Sequence, residues 1–538
     1  MDNGRTTTGL LAALTAGATL LLSSCDVFSP APPAADYIGP ILAASPTTAP
    51  TTQPATAPAR PAVAPDGPLA VTVQEAILLS LERNQSLRVE RLNPAIARTY
   101  EQQERAVFDP TLSLEASASR ERKPRTGGRT TEKAAGAEAA VTQLLPTGTD
   151  ISAGITSDYS TTGLHDDRYV NRLGLSVNQA LLRGAGLDVN LASVRQARID
   201  TLISEYELRG FAEALVAQTE ETYWDYALAQ RTIEIVTNSL KLAQQQRDEI
   251  RERINVGRLA ETELAAAEAE VALRRENLIN ARSDLAKTRL RLLRLLNPTE
   301  ADFWNREVVL KSVPGAPQIE LDKVEVYVAV ALRMRPELNQ ARLGVQRGDL
   351  ELVKTRNGLL PKLDVFLTLG KSGYANSFGD SFANIAREDY DALAGLRLEY
   401  PPGNRDAEAK HQRAIWSREQ ALRAVENLVQ LAQVDVRSAY VEVDRAREQV
   451  AATAATRRLQ EEALRAETEK FRVGKSTSFL VAQAQRDLLE SQIGEVRAVV
   501  SFLKALIGLH LQEGALLERR GISAPGATPV DLSAPRRW

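Results

Sequence analysis

Hydrophobic positions along this chain change period several times, and each change marks an element. Thr72–Arg83 and Ser86–Val107 carry apolar residues at helical spacing, and Pro110 breaks the run. The period then drops to two. Leu112, Leu114, Ala116 and Ala118 alternate with Ser113, Glu115, Ser117 and Ser119. Ile151, Ala153 and Ile155 alternate with Ser152, Gly154 and Thr156, and Leu173, Leu175 and Val177 with Gly174, Ser176 and Asn178. This pattern predicts strands with one apolar and one polar face, as a barrel wall or a half-buried sandwich needs. From Leu187 to about Ile254 the helical period returns without an internal proline. At about 1.5 Å per residue that is roughly 100 Å of helix, too long for a compact globule. The return helix places Leu264, Val271, Leu278, Leu285 and Leu292 seven apart, with Ala260, Ala267 and Ala281 in a second seam position. A seven-residue apolar repeat predicts a coiled coil.

The same order then recurs. SLERNQSL at Ser80–Leu87 matches ALRMRPEL at Ala331–Leu338, and Pro110 and Leu112 pair with Pro361 and Leu363, at one offset of 251 residues. Further on the offset is 217, pairing Gly257 with Gly474 and Ala267 with Ala484, so the first copy is longer by the difference, 34 residues. The chain is a tandem duplication of helices, strands, a very long helix, a sharp turn and a return helix. In the second copy Leu363, Val365, Leu367 and Leu369 form one strand face, and Ala392, Ala394, Leu396 and Leu398 another. Val481, Leu488, Phe502 and Leu509 form the second seam. Arg120–Thr131, Tyr159–Arg168 and Ser372–Glu388 read as long polar loops, and Pro146–Thr149 as a tight turn. The pattern therefore predicts four strands in the first copy and two in the second. The surplus is about one hairpin.

The N-terminus carries a secretory signal, with Arg5 ahead of a short apolar run from Leu10 to Leu22. Leu22-Ser23-Ser24-Cys25 resembles a bacterial lipobox, which implies cleavage before Cys25 and its acylation. Asp26 follows, and in some bacteria that position favours retention at the inner membrane. Ser29–Pro68, rich in Pro, Ala and Thr, reads as an extended tether. No segment has the roughly 20 apolar residues of a spanning helix, so a membrane crossing requires strands. The charge of -3, from 66 basic and 69 acidic residues, gives no reason to propose nucleic acid. One Cys and three His leave little for thiol or metal chemistry, and no nucleotide-binding or metalloenzyme motif is present. Nothing suggests an enzyme, a cofactor or a metal. His165, His411 and His510 read as surface or seam residues.

These features together resemble the TolC-type outer-membrane efflux protein family, over about Leu69 to Glu513. The marks are the duplicated halves, VQEAILLSLERNQSL and ALRMRPEL, the aliphatic-Pro exits into strands, SVNQALLRGAG at Ser176–Gly186, and two VG turns. Ala180 stands where the family usually has Pro. The resemblance implies a mainly α fold with a membrane β-barrel segment: a duplicated helix–strand–helix protomer with very long coiled-coil hairpins, forming a trimeric α-barrel plus β-barrel duct. It implies a homotrimer in outer-membrane lipid, extending into the periplasm and working with a periplasmic adaptor (a membrane fusion protein) and an inner-membrane pump. The usual protomer of the family contributes four strands, so six is a departure. Two turns, Val256-Gly257-Arg258-Leu259 and Val473-Gly474-Lys475-Ser476, are the candidate adaptor-docking tips. Asp248, Glu249, Glu252, Glu467 and Glu469, within two turns of the tips, are candidates for a periplasmic gate. Tyr159, Tyr169, Tyr374, Tyr390 and Tyr400 are candidates for an interfacial aromatic girdle.

The expected boundaries are 1–24 for the signal peptide, 25–68 for the lipidated Cys and tether, 69–109 for the first short helices, and 110–180 for the first strands. The first long hairpin is expected at 181–300, an inter-repeat linker at 301–321, the second-repeat helices at 322–360, and their β-hairpin at 361–402. The second long hairpin follows at 403–513, and a disordered tail at 514–538. The rival reading is a lipid-anchored periplasmic coiled-coil adaptor or scaffold without a pore. It predicts one helical hairpin rather than two copies of the helix–strand–helix unit.

Overall fold

The computed structural model describes residues 67–125, 128–162, 165–257, 259–297, 303–387 and 389–531. Cys25, the signal segment and nearly all of the tether lie outside them.

Strand β1 (Leu69–Val71) leads into α1 (Val73–Arg83), which Thr72 and Glu75 start as a capping box, each side chain accepting from the other's backbone N–H. Helices α2 (Gln85–Glu90) and α3 (Asn93–Arg105) follow, the first capped by the Asn84 side chain. Strands β2 (Thr111–Arg125), β3 (Gly128–Leu144), β4 (Thr149–Thr162) and β5 (His165–Ala180) come next. The one-turn α4 (Leu187–Asn190) precedes α5 (Ala192–Asn255), 64 residues long, and its return helix α6 (Thr262–Leu296). The second repeat contains β6 (Val308–Leu310), α7 (Val324–Met334), α8 (Pro336–Gly358), β7 (Lys362–Ala375), α9 (Phe378–Asn384) and β8 (Tyr390–Glu399). It closes with α10 (Arg405–Arg472), 68 residues, α11 (Ser478–Glu513) and α12 (Leu516–Arg519).

The repeats meet in one antiparallel sheet of six strands, ordered β2-β3-β4-β5-β7-β8. Its join is β5 against β7, with Leu175 opposite Leu369. The surplus of the first repeat therefore lies in line with the other strands.

Two expected boundaries need correction. The 301–321 segment is more than a linker: β6 pairs in parallel with β1, Leu69 opposite Val308. Tyr223 and Tyr226 of α5 donate their hydroxyls to the carbonyls of Val71 and Val308, each at 3.1 Å. Nor is the stretch after Glu513 a disordered tail as far as Asp531. Leu516 and Leu517 are fully buried against Leu208, Leu215 and Val216 of α5. Burying each contributes about 2 kcal/mol toward ordering the segment. The Tyr206 hydroxyl bonds the Thr528 carbonyl, and the Asn339 side chain accepts from Val530 at 2.9 Å.

Candidate functional sites: the hairpin tips and the strand wall

The two tips are built alike. Helix α5 ends at Val256 with φ −95° and ψ 14°, and α10 ends at Val473 with φ −94° and ψ 11°. Gly257 and Gly474 follow at φ +73° and +76°. Glycine adopts that left-handed conformation without the steric cost other residues meet. The amide of Gly257 donates to Ile254 O at 2.8 Å and that of Gly474 to Phe471 O at 3.1 Å. Nothing lies within 4 Å of a Cβ built on either glycine. Val256 and Val473 are 68% and 66% exposed. Leu259 is half-buried and Lys475 exposed, with its amide on Lys470 O at 2.8 Å. The Ser476 hydroxyl donates to Glu467. Arg258 lies outside the described residues.

The hairpins also touch each other near the tips, through residues that no local pattern singles out. The Arg253 guanidinium lies 5.1 Å from the Phe471 ring centroid, and Ser478 bonds Glu263. Glu270, nearly buried, pairs with Arg274 at 2.6 Å and reaches Arg486 at 3.5 Å. The gate candidates behave differently, each staying on its own hairpin. Asp248 pairs with Arg247, Glu249 with Arg253, and Glu469 with Arg472 at 3.9 Å. The Ser476 hydroxyl, with Lys470 beside it, holds the Glu467 carboxyl below the usual carboxylate range. Glu252 is exposed and has no ionic partner among the described residues.

In the sheet, register sorts residues onto two faces. Leu112, Val141, Ala153, Leu175, Leu369 and Ala392 form one continuous apolar row from β2 to β8. The other face is polar, with Glu115 opposite Glu138 and an Arg172–Asp391 ion pair at 2.5 Å spanning β7. Tyr159 and Tyr169 pack on the apolar face with ring centroids 4.8 Å apart and planes tilted by 39°. Tyr390, opposite Lys371, shares it. Tyr374 has the opposite parity and lies under the Arg168 guanidinium, 5.3 Å from its ring centroid, so it leaves the girdle set. Tyr400 follows β8 at its helix-proximal end.

Among the described residues no group of His, Cys, Asp and Glu could hold a metal ion, and no helix is long and apolar enough to cross a membrane. His411 Nδ1 contacts the Thr355 hydroxyl at 3.1 Å, and His510 lies 3.5 Å from Glu513.

This architecture of strand wall and long paired hairpins is shared with solved outer-membrane channels. CusC, described in terms of transmembrane channel formation, matches with a TM-score of 0.63 at 16% identity over 87% of this chain and 99% of its own. The outer membrane channel CmeC of Campylobacter jejuni matches at 0.63 and 14% identity, covering 82% and 86% of the two chains. A membrane protein from Pseudomonas aeruginosa matches at 0.63 and 20%, covering 87% and 97%. The outer membrane efflux protein family model matches residues 76–298 and 328–514, one interval in each repeat. The chain belongs to that family. No curated protein matches it significantly.

Proposed function

We propose that three copies of this chain form a passive export duct across the outer membrane and periplasm, docked through its hairpin tips to a periplasmic adaptor and an inner-membrane pump. The observation that carries this reading is the six-stranded sheet whose outer strands, β2 and β8, have no partner on their outer edges among the described residues. In lipid an unpaired strand edge is untenable, because each free backbone group there costs several kcal/mol. Strand directions alternate through the sheet, so β8 of one copy meets β2 of the next antiparallel. Three six-stranded sheets close an eighteen-stranded wall. Its diameter would be about half again that of a twelve-stranded one, in the range where barrels hold an aqueous channel. The apolar row faces lipid and the polar row faces water. Below the wall, α5 at about 1.5 Å per residue reaches roughly 95 Å into the periplasm. Acylated Cys25 adds a lipid anchor through the tether.

The exposed valines at the tips are the docking points. A Cβ added to Gly257 or Gly474 would have open space around it, with no described atom beyond its chain neighbours within 4 Å. Any effect beyond about 1–2 kcal/mol of left-handed backbone strain therefore reports a partner. Gly257→Trp with Gly474→Trp is expected to leave the trimer and its conductance intact and abolish capture by the adaptor. Adaptor capture at the wild-type level would refute the docking assignment. The acidic residues beside the tips are placed to take part in opening the closed end, with Glu252 the freest to accept a partner from a neighbouring copy.

A further inference from the structure

The β2–β3 hairpin has a charge pattern that a solvated loop does not require. On its apolar face the run Leu112, Leu114, Ala116, Ala118 continues upward as Arg120 and Arg122. On β3 the run Val141, Ala139, Ala137, Ala135 continues as Lys133, Thr131 and Arg129. Register sets Arg120 directly opposite Lys133. Like charges so placed repel unless an anion sits between them. On the other face at the same level the charges neutralise one another: Lys123 reaches Glu121 at 2.8 Å and Glu132 at 3.4 Å. Arg120, Arg122, Arg129 and Lys133 are exposed and pair with no acidic side chain among the described residues. Asp167 of β5 already accepts from the Tyr159 hydroxyl at 3.1 Å.

From Leu112 to Arg120, at about 3.3 Å per residue and a tilt of about 40°, the strand rises about 20 Å, close to the ~25 Å of a barrel's apolar band. Ala135, one step below Lys133 on the same face, stands opposite Tyr159, which packs against Tyr169. Aromatic residues of this kind settle at the headgroup level. The cations therefore emerge where the hydrocarbon ends.

We propose that Arg120, Arg122, Arg129 and Lys133 form a binding site for the phosphorylated headgroup of an outer-leaflet lipid. Guanidinium groups chelate phosphate oxygens, and each cation near an anionic surface strengthens the attraction. The site rests on the reading that the apolar face of the sheet meets lipid. In the assembled duct it seals the rim beside the edge strand β2.

The test uses the full chain, purified in detergent and offered lipid A carrying two phosphates or the same lipid with its phosphates removed. Retained lipid is read by native mass spectrometry. The wild type is expected to retain the phosphorylated form about tenfold or more over the phosphate-free form. R120Q/R122Q/R129Q/K133Q should lose that preference, while E121Q/K123Q/E132Q on the opposite face should keep it. No preference in the wild type, which needs no variant to measure, overturns the site. So does an undiminished preference in the fourfold variant. Cations neutralised by a neighbouring copy would give the first of these results. Conductance is recorded on the same wild-type sample. Its absence would overturn the duct, whereas conductance without lipid preference overturns the lipid site alone.

Discussion

Helices α5 and α10 are near-equal in length, end in nearly superposable tips, and descend from one duplicated segment, yet they are packed very differently. Of α5, 23 residues are buried, among them Leu208, Val216, Tyr223 and Tyr226. Of α10, six are: Ala414, Val425, Ala432, Val436, Val443 and Ala446. α5 is wrapped within its own chain by α1, α3, α8, α11 and α12. α10 leaves Leu431, Val434, Val441 and Leu459 between 49% and 66% exposed. After duplication the two copies kept the turn and divided the packing: α5 buries most of its apolar residues inside the chain, with Leu202 and Leu242 left 39% and 51% exposed, and α10 presents its apolar stripe to something outside. In the proposed trimer that is the neighbouring copy.

The sharpest way to break this comparison is to charge both helices. Val434→Asp with Val441→Asp should abolish the trimer while the monomer keeps its helical circular dichroism, because both sites are already wet in the monomer. Val216→Asp in α5, at a fully buried site, should instead unfold the monomer. Sedimentation and circular dichroism separate the outcomes. Equal loss of trimer and of fold in both variants would erase the distinction between the helices.

A smaller effect concerns the strap that makes α5 self-sufficient. Glu220 of α5, fully buried, accepts from Nε and Nη2 of Arg520, at 2.6 and 2.5 Å. Arg520→Ala leaves that carboxylate buried and unpaired, and should cost about 3–5 kcal/mol by denaturant melting. A change below about 1 kcal/mol would mean the strap is dispensable.

Smaller still is a pH effect on the same helix. Burial pushes the Glu213 carboxyl from 4.5 up to about 7, even with the Arg209 guanidinium at 3.1 Å. The folded chain therefore holds this proton more tightly than the unfolded chain. Its contribution to stability is complete below about pH 4.5 and is lost progressively as pH rises to about 7, on the order of 3 kcal/mol. Glu213→Gln should flatten that part of the profile and leave the protein more stable at pH 8. An unchanged slope between pH 4.5 and 7 would contradict this.

What the sequence revealed, and what it hid, follows from element length. The strand cores, the long helices and the VG tips declare themselves because a period must run for several residues to be seen, whereas most of Arg120–Thr131 and Tyr159–Arg168, expected as loops, continues the strands because charged and polar residues there hide the alternation. The β1–β6 pair, three residues on each side, is too short to show one. Leu516 and Leu517 are flanked by ERR, and only tertiary contact with α5 reveals them as core. The girdle assignment failed at Tyr374 because an aromatic near a strand end carries no sign of its parity. Contacts between the tips, such as Ser478 with Glu263, join residues 215 positions apart and leave no local signal.

The central claim is a closed wall made from three six-stranded sheets, and the extra hairpin tests it. Electron cryomicroscopy of the purified assembly, wild type beside a variant lacking Ala134–Ser157, reads the strand number directly. A three-fold ring of eighteen strands is expected in the wild type and a narrower ring of twelve in the variant. A twelve-stranded ring in both, with the hairpin lying outside the wall of the wild type, would contradict it.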